Sequence, residues 1–182
     1  MRKLISGVFV SLDGVIEKPW QWIGSFFDEE GKRYASAKLD ESDLFLLGRK
    51  TYEQFSSTWP NVKGDFYLDR VNAIEKRVVS NTLNQVGWNA HLIKGDPAKE
   101  IATLKKQPGK NILKYGVGEV DAALLKQGLI DAFELWIIPV KVGKGKRLFE
   151  DIDTSGFQMK LQHSRTFKNG VVLLTYESHA TV

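Results

Sequence analysis

The chain has 182 residues, 42% hydrophobic and 26% charged, a balance that suits one globular domain with a sizeable core. It contains no cysteine, which excludes disulfides, thiol catalysis and zinc–thiolate sites. A net charge of +4 suits an anionic small molecule and falls far short of a nucleic-acid footprint.

Residues 3–12 are apolar and rich in β-branched side chains. They read as a buried strand rather than a signal peptide, because Asp13 and Glu17 interrupt the run and no small-residue cleavage site follows. Asp13-Gly14 breaks the strand, and a loop with Pro19, Trp20 and Trp22 follows. Residues 28–40, polar with scattered apolar positions, predict an exposed helix. Leu44 to Leu47 predict a short buried strand. A helix starts near Arg49 and is ended by Trp59-Pro60. Residues 66–74 predict a helix with Phe66, Val71 and Ile74 as its apolar stripe. Arg77 to Ser80 read as a strand, Asn81-Thr82 as a turn, and residues 89–93 as a weaker strand. Asp96 is a good N-cap with Pro97 at the first helical position, opening a helix to Lys106.

Pro108-Gly109 is a turn, Asn111 to Tyr115 a strand, and Val117 to Gln127 a helix stopped by Gly128. Phe133 to Ile138 predict another buried strand. The pattern then changes: Phe157, Met159 and Leu161 alternate, Asn169-Gly170 signals a hairpin, and Val171 to Tyr176 read as a strand. Strand and helix alternate first and a hairpin closes the chain. The expectation is one α/β domain over 1–182, with a mostly parallel sheet and an antiparallel edge. No apolar stretch is long enough to span a membrane, and the lack of cysteine fits a cytoplasmic protein.

Three loops carry phosphate-friendly chemistry. In Gly48-Arg49-Lys50-Thr51 an apolar strand ends in glycine, and two cations and a hydroxyl stand at a helix start. The bland reading of this stretch is a capped surface helix with a solvated basic pair. In Tyr115-Gly116-Val117-Gly118-Glu119-Val120 the glycines let backbone amides approach a pyrophosphate, or simply make a tight turn. Asp121 stands where a dinucleotide fingerprint has its third glycine. Ser80-Asn81-Thr82 offers short polar side chains for a ribose or its phosphate, or an ordinary turn. Ligands of such folds gather beyond the carboxyl ends of strands, so the three loops together point to a nucleotide site. Asp28-Glu29-Glu30 offers a candidate proton donor in Asp28, with Glu29 and Glu30 as alternatives, or else an acidic helix start. Trp20 and Trp22 wall an aromatic substrate or pack internally. Lys141, Lys144, Lys146 and Arg147 form the densest basic patch, read either as an anion-binding loop or as a solvated one. His91, His163 and His179 lack metal-site spacing, and there is no P-loop or nucleophile elbow.

Five stretches together resemble the dihydrofolate reductase-like family, in the branch similar to the reductase domain of the riboflavin-biosynthesis protein RibD. They are Val10-Ser-Leu-Asp-Gly-Val-Ile-Glu17, Leu46-Leu-Gly-Arg-Lys-Thr-Tyr-Glu53, Val78-Val-Ser-Asn-Thr-Leu83, Gly116 through Leu125 with Gly128-Leu-Ile-Asp131, and Pro139-Val-Lys-Val-Gly-Lys-Gly-Lys-Arg-Leu-Phe149. The resemblance implies a three-layer fold, NADPH as cofactor, and hydride transfer to a small heterocycle, pteridine- or pyrimidine-like. A 5-amino-6-(5-phosphoribosylamino)uracil reductase-like activity lies within that range. It implies that Gly48, Arg49, Lys50 and Thr51 bind cofactor phosphates, and that Ser80 and Asn81 sit at the adenosine 2′-phosphate. It further implies that Gly116, Val117, Gly118, Glu119 and Val120 cradle the pyrophosphate. Val8, Phe9 and Ile16 would line the nicotinamide pocket, with Asp13, Gly14 and Trp22 on the substrate side. Val117 departs from the pattern, since many relatives carry a small residue there. An apolar edge strand and the resemblance suggest a homodimer. The alternative to an enzyme is a nucleotide-binding protein of the same fold.

Overall fold

The computed structural model describes residues 1–153 and 157–179. In chain order the elements are β1 (Leu4–Ser11), α1 (Glu29–Asp40), β2 (Ser42–Gly48), α2 (Arg49–Ser56), α3 (Phe66–Ala73), β3 (Glu75–Val79) and β4 (Ala90–Ile93). They continue with α4 (Pro97–Lys106), β5 (Asn111–Tyr115), α5 (Glu119–Leu125), β6 (Ala132–Ile138), β7 (Gln158–Thr166) and β8 (Val172–His179). The sheet order is β4-β3-β2-β5-β1-β6-β8-β7. Strands β4 through β6 are parallel, and β8 runs antiparallel to both β6 and β7.

Both faces of the sheet are covered, which is why its central strands are mostly apolar, with Ser6, Lys114 and Glu134 buried among them. In β2, Leu44 and Leu46 point to one core with Ile101 and Leu104 of α4 and Leu124 of α5. Phe45 and Leu47 point to the other, with Ala35 and Leu39 of α1 and Val71 of α3. A third cluster, around Trp136, Phe167 and Leu173, extends the α1 side towards the hairpin. Among the described residues no helix is long and apolar enough to cross a membrane.

Several expected boundaries shift for local reasons. α2 ends at Ser56, and Trp59 opens a separate 3-10 turn over Trp59–Asn61, its ring stacked on Phe55 with centroids 3.7 Å apart. α5 starts at Glu119 rather than Val117, because Val117 belongs to the glycine turn and packs against the first core. β3 spans Glu75–Val79, leaving Ser80 to the turn. α1 is not an exposed helix: Gly31, Ala35 and Leu39, at helical spacing, form a buried stripe. Of the two sheet edges, β7 is polar, with Leu161 48% exposed among Lys160, Gln162, His163 and Arg165, and β4 carries Ala90, Leu92 and Ile93.

Candidate functional site

The chain leaves β1 through α1 on one face of the sheet and leaves β5 through α5 on the other. β1 and β5 are neighbours, so a crevice opens between their carboxyl ends, the place where open α/β sheets bind ligands. The crevice has a definite edge. β5 stops at Tyr115, paired with Gly7, while β1 continues beside β6 to Ser11. The Gly116 N–H donates to Gly7 O at 2.9 Å, so alternation turns the next amide and carbonyl on that side, those of Phe9, into the gap. Ser11 closes the far end, its N–H donating to Val15 O at 3.0 Å.

The glycine loops flank this gap. A Cβ added to Gly48 would lie 3.6 Å from Val120 Cγ2, and one added to Gly116 would lie 3.6 Å from Thr51 Oγ1. The fold thus sets the end of β2 against the end of β5, with Thr51 over the Gly116 turn. Gly116 has φ +81°, a conformation that favours glycine. Gly118 faces open space. The helix starts differ sharply. α1, α3 and α4 are closed by Asp28, Asp65 and Asp96, whose carboxylates accept first-turn amides. α2 and α5, which border the crevice, begin at Gly48 and Gly118, without a side-chain cap. At the start of α2 no side chain covers the first-turn amides of Lys50 and Thr51. Such amides, with the positive end of the helix dipole, make an anion seat.

A buried ion pair builds the second loop. Lys114 Nζ lies 2.7 Å from Asp121 Oδ2 and also donates to Gly116 O, while Gly118 N–H donates to the same Asp121 oxygen at 2.8 Å. Ser6 Oγ reaches Asp121 Oδ1 at 3.2 Å. In the sequence Asp121 stands out only as a missing glycine. The available signal was a lysine inside the apolar strand, seven residues before that aspartate.

The other expected site residues fall as follows. Ser80 Oγ accepts the Leu83 amide at 3.0 Å, and Asn81 Oδ1 accepts the Gly95 amide at 2.8 Å, so both side chains shape the turn after β3. Arg49 is exposed and pairs with Glu53 at 3.1 Å. Lys50 is exposed. Val8 and Ile16 belong to the first core cluster, and Phe9 to the aromatic layer opposite. There Phe9 packs edge-on against Phe27 at 5.4 Å and Trp136 at 5.7 Å. Trp22, half-buried beside this layer, donates its indole N–H to Glu17 O at 2.9 Å.

Asp13 lies at the rim, its carboxylate turned to the loop after β6. It accepts the amides of Val142 at 3.0 Å and Gly143 at 2.7 Å, with Ser11 Oγ at 2.7 Å. These hydrogen bonds, Val142's foremost, hold its carboxyl well below the usual carboxylate range. The carbonyl of Gly14 accepts the Leu148 amide at 2.9 Å. In the basic patch, Lys146 pairs with Asp151 at 2.6 Å and Arg147 Nε donates to Asp13 O at 3.3 Å. Asp28 accepts the Gly31 amide on one oxygen at 3.0 Å and the Asn169 side-chain amide on the other at 2.9 Å.

The profile of the RibD C-terminal domain matches residues 2–173. YyaP, an uncharacterized protein of Bacillus subtilis strain 168, is 32% identical over 179 residues, covering 96% of this chain and 94% of that protein. Among solved structures, a protein provisionally named for riboflavin biosynthesis from Shewanella sp. PV-4 superposes with a TM-score of 0.76 at 23% identity, covering 98% of this chain and 99% of that one. A dihydrofolate reductase from Enterococcus faecalis, solved with NADP(H), superposes with a TM-score of 0.62 at 16% identity, covering 98% and 97%. The crevice at the β1–β5 switch and the dihydrofolate reductase-like fold around it agree with these matches, and the chain belongs to the RibD C-terminal domain family.

Proposed function

We propose that the protein is an NADPH-dependent reductase acting on a small flat heterocycle, pteridine- or pyrimidine-like, with 5-amino-6-(5-phosphoribosylamino)uracil reductase-like activity within that class. One observation carries the reading. The fold closes the helices away from the crevice with aspartates and leaves α2, at the crevice, to a glycine followed by Arg49, Lys50 and Thr51. First-turn amides without a side-chain cap, and positive charge beside them, suit a dinucleotide's phosphates.

When bound, the nicotinamide ring supplies the hydride. The amides of α2 and the Thr51 hydroxyl hold phosphate, and the amides of Val117, Glu119 and Val120 take the pyrophosphate. Arg49, with the turn at Ser80 and Asn81, meets the adenosine 2′-phosphate. Its present partner Glu53 is exposed, and such a surface pair is readily exchanged. The amide and carbonyl of Phe9 would hold the nicotinamide, with Val8 and Ile16 lining the pocket. Phe27, Trp136 and Trp22 keep water from the substrate side, Asp13 and Gly14 hold the rim loop, and Asp28 donates a proton directly or through an ordered water.

A second reading is nucleotide binding without turnover. It is favoured by Asp28, both of whose oxygens already accept hydrogen bonds. Tryptophan-fluorescence titration with NADPH, followed by NADPH oxidation against a pteridine and pyrimidine panel, separates the two. Saturable binding with turnover is expected; binding without turnover on any substrate leaves the second reading, and no binding removes both. Arg49→Ala should weaken NADPH by about tenfold while sparing NADH, the size of one charge-assisted contact. Equal weakening of both dinucleotides would remove Arg49 from the 2′-phosphate.

A further inference from the structure

The loop from Ser80 to Asn89 contains two consecutive non-glycine residues in the left-handed region, Trp88 at φ 60° and Asn89 at φ 51°. That backbone is unfavourable away from glycine and persists only where neighbours over-determine it. Here they do. The Trp88 indole N–H donates to Asn72 Oδ1 at 2.7 Å, and Lys76 Nζ stands 4.3 Å from the indole centroid. The Lys76 amide donates to Asn89 O at 2.9 Å. The other side of the clamp is Tyr52 on α2. Its hydroxyl accepts the Gly87 amide at 2.9 Å and faces Gly87 O at 3.3 Å as donor. Tyr52 is buried and sits one residue after Thr51, on the helix that begins with Arg49.

We infer that Tyr52 is a specificity-determining positioning residue, tying the Ser80–Trp88 loop to α2 at the spacing that lets Arg49 and that loop together read the dinucleotide's 2′-phosphate. The inference rests on the NADPH reading above. A strained loop released from α2 would gain conformations, and a ligand needing one of them would bind more weakly by the fraction lost. NADH lacks the 2′-phosphate and on that reading meets α2, the Gly116 turn and the open edge of Phe9 rather than this loop, so the release would leave its binding unchanged.

The test is Tyr52→Phe in the full chain, with dissociation constants for NADPH and NADH measured by tryptophan quenching and folding checked by circular dichroism. NADPH should weaken by about tenfold and NADH by less than about twofold, the scale of one net hydrogen bond. If the variant does not fold, Asn72→Ala, which frees Trp88 from the side opposite α2, carries the same expectation. An unchanged NADPH-to-NADH ratio, or equal losses for both, would show that Tyr52 only packs and would overturn the inference while leaving the cofactor reading intact. A wild-type protein that binds neither dinucleotide would remove both.

Discussion

Glu134 shows what a single buried side chain costs this fold. It lies in β6 under α1, its Oε1 accepting the Tyr34 hydroxyl at 2.8 Å with Lys38 Nζ at 3.9 Å. Burial pushes its carboxyl above the ordinary value of 4.5, and burial beside Glu134 pushes the Tyr34 hydroxyl up as well. The folded protein therefore holds this proton more tightly than the unfolded chain. The resulting stabilisation is complete below the ordinary carboxylate range and is lost as pH rises through the folded pKa. Glu134→Gln keeps the acceptor for Tyr34 and cannot ionise. It should melt a few degrees higher than wild type at pH 8 and converge with it near pH 4; a gap of equal size at both pH values would contradict the sign. Lys114 and Asp121 are the opposite case, two buried charges that satisfy each other and in doing so shape a loop. A lone lysine in the strand was visible in the sequence, but its partner was not. Pairing across the Gly116 turn depends on where α5 lands.

At the scale of elements, the helix starts were the most legible feature. Asp96-Pro97 announced α4, and the carboxylate does accept the Ala98 amide at 2.9 Å. Asp28 is harder, because the same residue caps α1 and is the proposed acid. Asp28→Asn retains a carbonyl for the Gly31 amide but sets a donor against the Asn169 amide. Stability should fall by about 1 kcal/mol, one net hydrogen bond. Turnover should fall at least about a hundredfold, the usual contribution of a general acid. Unchanged turnover in a folded variant would remove Asp28 from proton transfer and leave it as a cap. The end of α2 was less legible. Trp59-Pro60 opens a 3-10 turn, and the α-helix itself yields earlier, at Ser56, where the Trp59 ring stacks back on Phe55. That contact has no signature in local propensity.

Across the whole molecule, Asp13 joins segments 129 and 130 residues apart in the chain, at Val142 and Gly143. Its carboxylate holds the loop after β1 against the basic loop after β6, so the rim of the crevice is one tied structure. Asp13→Ala should leave the core intact and open both loops. Faster limited proteolysis within residues 12–18 and 140–147, with KM rising more than kcat falls, is the expected pattern. Wild-type cleavage rates would mean that the Val15–Arg147 bridge holds the rim without Asp13.

The sequence by itself determined the α/β class, the order of strands and helices, the closing hairpin and the three strand-end loops. Each of these is set by local period, by a capping residue or by a glycine where the backbone must turn. It also offered the start of α2 as a candidate anion seat, since charge and a glycine cap stand side by side in the chain. Only the tertiary structure decided that β5 inserts between β2 and β1, which puts Gly48 beside Val120 and leaves the edge of Phe9 open. It alone gave Asp13 to the loop after β6, Asn81 to Gly95 and Tyr52 to Gly87. These are pairings between groups distant in the chain, selected by burial and by the need to satisfy polar atoms once the sheet order is set.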